Sequence, residues 1–195
     1  MRSENEPSKD MKVIICFTGM PGAGKSTAAA VAKDLGFDIV NMGEAVREET
    51  IKRGLTTTDE NLGLVMLDLR CKQGMGAVAN LVLPKISSSK KRIVAVDGVR
   101  NFEEIETFRN LGQVKILMIH ASPETRFRFL QQRRRDDAPK SWKPFEARDE
   151  REISVGMMKT MALADEVISN NGISISELEE KTKKILSKWT DSIEH

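Results

Sequence analysis

Gly19-Met20-Pro21-Gly22-Ala23-Gly24-Lys25-Ser26, followed by Thr27, gathers three glycines, a lysine and two hydroxyls into one short run. Glycines at these spacings let the backbone curl until its N–H groups point inward, and such a nest of amides receives an anion. A lysine at the end of the loop reaches the β- and γ-phosphates of a nucleoside triphosphate, and the hydroxyl after it meets the Mg²⁺ that bridges them. The pattern G-x-x-x-x-G-K-[ST] carries weight only between a strand and a helix. That context is present, because KVIICFT (12–18) is a short apolar, β-branched run and STAAAVAKDL (26–35) is rich in alanine. Gly19 to Thr27 are therefore expected to bind the phosphates of ATP, with Lys25 catalytic and Ser26 a ligand of Mg²⁺.

A second chemical feature is RIVAVD, from Arg92 to Asp97, an apolar run that ends in an acid. At the carboxyl edge of a parallel sheet beside a phosphate loop, such a carboxylate reaches the magnesium directly or through water. Asp97 is thus expected as a metal ligand and catalytic group, and the alternative is a turn made by Asp97-Gly98.

These groups need elements to hold them. Further short apolar runs occur at Asp38 to Val40, Val114 to His120 and Glu166 to Ser169, separated by helical sequence. The alternation predicts an α/β fold of three layers, with a five-stranded parallel sheet covered by helices on both faces. Between the second and third strands lies a helical stretch too long for a simple crossover, expected to form an insert over residues 42–88. Within it, Gly54 ends a helix carrying Glu48/Lys52 and Glu49/Arg53 pairs, Thr57 and Glu60 form a capping box, and Gly74 and Gly76 close the next helix. Ser122-Pro123-Glu124 starts a later helix, and Ser174 with Glu177 starts the last, whose Leu178, Thr182, Ile185, Leu186 and Trp189 share one face. The whole reads as one domain over 11–192 behind a loose tail at 1–10.

Composition excludes several classes. A length of 195 residues with 39% hydrophobic and 31% charged residues suits a globular domain, not a disordered or fibrous chain. A net charge of +2 and a pI near 8.5 fall short of a dedicated nucleic-acid domain, so no nucleic-acid partner is expected. No segment approaches a transmembrane span, and the polar start is not a signal peptide, which points to a cytoplasmic protein without a membrane partner. Cys16 and Cys71 are far apart with no metal-binding spacing, and both are expected as buried free thiols.

GMPGAGKST, NMGEAVREE and VAVDGVRN together resemble the nucleoside monophosphate kinases, adenylate kinase above all. ADEVISNNGISISELEE is closer to dephospho-coenzyme A kinase, and the whole pattern is similar to an archaeal family described as adenylate-kinase-related. The resemblance implies ATP and Mg²⁺ as cofactors and small-molecule nucleotides as substrates. It aligns Gly43-Glu44-Ala45-Val46-Arg47 with the family's Gly-Asp-Leu-Leu-Arg, and Asp97-Gly98-Val99-Arg100 with its Asp-Gly-Phe-Pro-Arg. It therefore implies Gly43, Arg47, Gly98 and Arg100 as acceptor-binding residues, the two arginines clamping a phosphate through the planar guanidinium fork. For either arginine, a solvated surface ion pair is the alternative. Met42 stands where the family has Ser or Thr, and Glu104 where a base-reading Gln falls, which leaves the acceptor base open.

RRRDDAPKSWKPFEARDER (133–151) sits where these kinases carry a lid, expected over about 131–147. Arg148 and Arg151 lie three apart on a predicted helix and are expected to meet the transferring phosphoryl from the side opposite Lys25. The alternative is a solvent-facing helix balanced by Asp149, Glu150 and Glu152. Arg126, Arg134 and Arg135 are weaker candidates, with Arg134 assigned to ATP. Asn170-Asn171-Gly172 follows the last strand, where the resemblance places adenine, so Asn171 is assigned to ATP, with a plain Asn-Gly turn equally weighted. His120 reads as structural.

The expected activity is transfer of the ATP γ-phosphoryl group to a nucleoside monophosphate or similar acceptor, with dephospho-coenzyme A kinase second. A nucleotide-dependent switch ATPase acting on a protein partner is the reading from another class. An RNA-associated ATPase would rest on Arg133 to Arg135, a patch that Asp136 and Asp137 offset.

Overall fold

Val13, Ile15 and Phe17 of strand β1 (Lys12–Thr18) join one apolar cluster, and Ile14 and Cys16 join another, so both faces of this strand are covered. That alternation dictates three layers, because successive strand side chains point to opposite faces. The computed structural model describes residues 11–133 and 138–194. The tail at 1–10, Arg134 and Arg135, and part of the lid expected over 131–147 lie outside the described residues.

Four more strands complete a parallel sheet: β2 (Asp38–Asn41), β3 (Ile93–Val99), β4 (Gly112–His120) and β5 (Glu166–Ser169), in the order β2-β3-β1-β4-β5. On one face lie α1 (Lys25–Asp34) and α9 (Ile175–Glu194), which bury Ala28, Ala32, Leu178, Leu186 and Trp189 against Ile15 and Leu117. On the other lie α2 (Met42–Lys52), α3 (Asp59–Gln73), α4 (Ala77–Ser88) and α5 (Phe102–Arg109), packed on Cys16, Val94 and Val96. The chain between β4 and β5 forms α6 (Pro123–Gln132), α7 (Trp142–Ser154) and α8 (Met157–Ala162). The fold is therefore α/β with a five-stranded parallel sheet between helical layers, as the run of short apolar segments implies.

Local signals mostly land where the sequence puts them. Ser122 caps α6 with Pro123 at its first position, and Ser174 with Glu177 exchanges the two bonds of a capping box. Four details differ. The cap of α3 is Thr58, whose Oγ1 accepts from the Asn61 N–H at 3.3 Å, not Thr57 with Glu60. Glu49 does bond Arg53 at 2.8 Å, but Glu48 turns to Lys85 of α4 at 3.0 Å. Cys16 is buried, which pushes its thiol pKa up and leaves it inert, whereas Cys71 is exposed and corrects the expectation of two buried thiols. Finally, Asp97-Gly98 is no turn. Both residues belong to β3, and Gly98 (φ +97°) forms a bulge, with Asp97 opposite Phe17 and Val99 opposite Thr18. Among the described residues no helix is long and apolar enough to cross a membrane.

Candidate active site

The loop between β1 and α1 is moulded against its surroundings. Gly19 has φ +136°, and a Cβ there would stand 2.1 Å from the Ile119 carbonyl oxygen of β4. Gly24 has φ +107°, and its missing Cβ leaves room for Asn170, whose buried Nδ2 donates to the Ala23 carbonyl at 2.9 Å. Beneath the loop, buried Arg126 donates Nη1 to the Pro21 carbonyl at 3.3 Å and forks onto Asp149 of α7, with its Nη1 and Nη2 at 2.7 and 2.5 Å. Its guanidinium also lies 4.9 Å from the centre of the Phe145 ring. Arg126 is thus a brace between loop and helix and does not line the cleft described below.

Lys25 folds back over the loop, its Nζ donating to the carbonyls of Gly19 at 2.7 Å and Met20 at 3.1 Å. Burial pushes its pKa down to about 8, against the raising influence of the Asp97 carboxylate. The Ser26 hydroxyl donates to Asp97 Oδ2 at 3.2 Å, and the Asn41 amide donates to the same oxygen at 2.9 Å. Asp97 Oδ1 is buried and has no hydrogen-bond partner among the described residues. A buried, unpaired carboxylate oxygen beside a hydroxyl fits a hard cation or one of its waters, since Mg²⁺ takes one or two protein oxygens and fills its octahedron with water and phosphate. Ser26 and Asp97 would hold it. Among the described residues there is no group of three His, Cys, Asp or Glu that could hold a metal by itself.

Lys25, Ser26 and Asp97 line one side of a cleft of about 140 Å³. Gly43 and Arg47 of α2, Gly98 and Arg100 after β3, and Arg148 and Arg151 of α7 line it as well. The sequence candidates from three separate segments are therefore brought together. Arg100 donates Nε to Glu152 Oε2 at 2.6 Å. Burial by itself would raise the Glu152 pKa, but the guanidinium groups of Arg100 and Arg148 hold it below the usual carboxylate range. Arg47 lies 3.6 Å from Glu44. Arg151 Nη2 donates to both oxygens of Asp59 at 2.8 Å, and Arg148 Nε is 3.3 Å from the same carboxylate. The solvent-facing alternative for α7 does not hold, since Asp149 serves Arg126, Glu152 is buried, and both arginines turn into the cleft.

Residues 18–146 match the AAA domain family. A UPF0200 protein of Hyperthermus butylicus is 40% identical over 179 residues, covering 92% of this chain and 96% of its own. A UPF0200 protein of Pyrococcus abyssi is 43% identical, covering 82% and 88%. The chain belongs to the UPF0200 family. Among solved structures, a shikimate kinase of Bacteroides thetaiotaomicron superposes with a TM-score of 0.59 at 17% identity, covering 90% of the UPF0200 chain and 98% of its own. A gluconokinase of Sinorhizobium meliloti superposes with a TM-score of 0.56 at 12% identity, covering 94% and 95%. At such identities the likeness is one of fold, and that fold is the P-loop kinase fold.

Two UPF0200 residues stand apart from the kinase pattern. Glu104 is fully buried, accepting from Arg70 Nη2 at 2.6 Å and from the backbone N–H groups of Arg100 and Asn101 at 2.7 and 3.3 Å. It closes the capping box of α5 and does not face the cleft. Met42 is wholly inside the core. Asn171 is exposed and outside the cleft lining, its Oδ1 accepting from the Ser122 N–H at 2.8 Å, while its neighbour Asn170 touches the loop. His120 is exposed, and its carbonyl accepts from Asn170 N–H at 2.7 Å. Arg134 lies outside the described residues.

Sequence reasoning missed Asn41, Asp59 and Glu152. Asn41 carried a signal, because Asn followed three residues later by Glu44 is a helix-start signature. Asp59 and Glu152 carried little more than their place on charged helices.

Proposed function

We propose that this UPF0200 protein transfers the γ-phosphoryl group of ATP to a small phosphorylated acceptor of the nucleoside monophosphate class. The observation that carries the reading is one cleft with a phosphate loop, Lys25, Ser26 and Asp97 on one side, and Arg47, Arg100, Arg148 and Arg151 around the rest. Guanidinium groups gathered around a phosphate loop suit two phosphorylated molecules placed end to end, because each fork grips two oxygens and fixes direction as well as charge.

In this reading the loop amides and Lys25 hold the β- and γ-phosphates of ATP, and Asn170 keeps the loop in shape. Arg47 and Arg100 hold the acceptor phosphate. Helices α2 to α4, residues 42–88, form the acceptor-binding insert. The bond from the γ-phosphorus to the β,γ-bridging oxygen breaks, a bond to an acceptor oxygen forms, and ADP leaves. Mg²⁺, when bound, would neutralise charge on the β- and γ-phosphates. Asp97 orients Ser26 and would assist the attacking oxygen. Arg148 and Arg151 stabilise charge on the transferring group, so no covalent intermediate is required.

Dephospho-coenzyme A as acceptor gains support from Glu104 and Met42, since neither of the family's base-reading positions offers a free polar side chain. The test is one assay: labelled ATP with Mg²⁺, a panel of nucleoside monophosphates, and dephospho-coenzyme A, using wild type and Lys25→Ala. Label should appear on one acceptor class with the wild type only. Label transfer by Lys25→Ala at the wild-type rate, or phosphate release with no acceptor labelled, overturns the reading.

A further inference from the structure

Asp59 is the first residue of α3, on the insert, yet its carboxylate is spent on the far side of the cleft. Both of its oxygens accept from Arg151 Nη2 at 2.8 Å, and its Oδ1 lies 3.3 Å from Arg148 Nε. An acid in the first turn of a helix ordinarily answers the helix dipole, but Glu60 is also available for that role. The approach is prepared on α3 itself. Gly63 lies one turn on, and a Cβ there would stand 2.9 Å from Arg151 Cζ and Nε, so any larger residue would make the guanidinium shift from its present place. A planar carboxylate meeting two arginines presents the acceptor geometry of a phosphate oxygen pair. With Asp59 in place the cleft holds about 140 Å³, below the range of about 300–1,000 Å³ that small-molecule sites span.

We propose that Asp59 is an internal competitor for the transferred phosphate: its carboxylate holds Arg151 and Arg148, and the γ-phosphate of ATP takes them from it. The exchange frees the amino end of α3, so ATP entry loosens the acceptor insert. ATP therefore binds first, and an acceptor follows into the widened cleft. The inference rests on the reading of Arg148 and Arg151 as γ-phosphate groups.

The strength of the competition follows from exposure. The side chains are 30% exposed for Asp59, 13% for Arg148 and 20% for Arg151. The contact is neither a fully exposed pair nor a fully buried one. Removing the carboxylate charge should tighten ATP by about tenfold.

The test compares wild type with Asp59→Asn, which keeps size and helix position. Calorimetry measures Kd for Mg²⁺ with a non-hydrolysable ATP analogue and with ADP, and thermal unfolding confirms that both proteins fold. The expected result is a tightening of about tenfold for the triphosphate and none for ADP, which lacks the γ-phosphate. Hydrogen exchange of the wild type gives a second readout, with faster exchange of amides 60–63 when the triphosphate analogue is added. Unchanged or weaker triphosphate affinity in Asp59→Asn, equal tightening of both nucleotides, or slower exchange at the start of α3 overturns the competitor role. If the wild type binds no triphosphate, the phosphoryl-transfer reading falls and the competitor with it. If both proteins bind with equal Kd, only the competitor falls.

Discussion

Asn41 and Asp97 stand opposite each other in the β2–β3 pairing, and the Asn41 amide donates to Asp97 Oδ2 at 2.9 Å while its Oδ1 accepts the Glu44 N–H at 2.9 Å. One side chain thereby caps α2 and steers the carboxylate proposed for magnesium. The strand pairing decides this, since it places the cap of an insert helix beside the end of the strand that carries the acid.

The two duties can be separated. Asn41→Ala loses both, and the lost cap should lower stability by about 1 kcal/mol. Asn41→Ser keeps a capping oxygen but cannot reach Asp97. The expected outcome is near-native unfolding for Asn41→Ser with phosphoryl transfer slowed about tenfold, the worth of one hydrogen bond to a charged group. Denaturant unfolding and single-turnover rates check it; a full rate in Asn41→Ser would mean that Asp97 keeps its place unaided.

Lys25 makes nucleotide binding pH-dependent in a defined direction. Its pKa falls from 10.5 to about 8 in the folded protein. Between those values the unfolded chain holds the proton and the folded chain has released it, so this group makes stability rise with pH across that window. Binding has the opposite sign, because a triphosphate favours the charged amine. At pH 9 the complex should take up about one proton, and affinity for Mg–ATP should decline above pH 8. Calorimetry at pH 9 in two buffers of different ionisation enthalpy measures the uptake, which Lys25→Met should abolish. No uptake by the wild type would separate Lys25 from the phosphates.

What the sequence made legible follows a physical divide. The phosphate loop was readable because its chemistry needs glycines, lysine and a hydroxyl within nine consecutive positions, Gly19 to Thr27. The five strands were readable because each is a short apolar run between helical segments. The α3 cap slipped by one because Thr56, Thr57 and Thr58 are chemically equal, and only backbone geometry selects Thr58. Ion pairs across the fold left no local trace: Arg100 meets Glu152 across 52 positions and Arg151 meets Asp59 across 92. Glu104 is the instructive case, since its place in line suggested a base-reading position, while its partner Arg70, 34 residues away, draws it into the interior.

Glu104→Gln restores the residue type of the adenylate kinase pattern and should not restore its selectivity. Arg70 is 4% exposed, and its Nε and Nη1 have no hydrogen-bond partner among the described residues, so the Glu104 charge is its main compensation. Removing one charge of a buried pair costs about 3–5 kcal/mol. The expected Tm falls by about 10 °C, with acceptor preference unchanged. Thermal unfolding and the acceptor panel decide; an undiminished Tm together with a sharpened preference for AMP would place residue 104 against the acceptor.

Arg126 and Asp149 should behave as one unit. Arg126 is 4% exposed and braces the Pro21 carbonyl, so Asp149→Asn leaves a buried cation with half its support and should lower stability by about 3 kcal/mol. Arg126→Met removes the charge and keeps an unbranched apolar chain over Phe145. The double variant should be more stable than Asp149→Asn alone by about 2 kcal/mol, because no unpaired charge remains. Nucleotide affinity should follow a different order. Both the double variant and Arg126→Met lack the brace on Pro21 and should bind Mg–ATP more weakly than Asp149→Asn, despite the recovered stability. Denaturant titrations of the four proteins, paired with their Kd values, test the two orders independently, and additive stability losses would show that the loop and α7 are not joined through this pair.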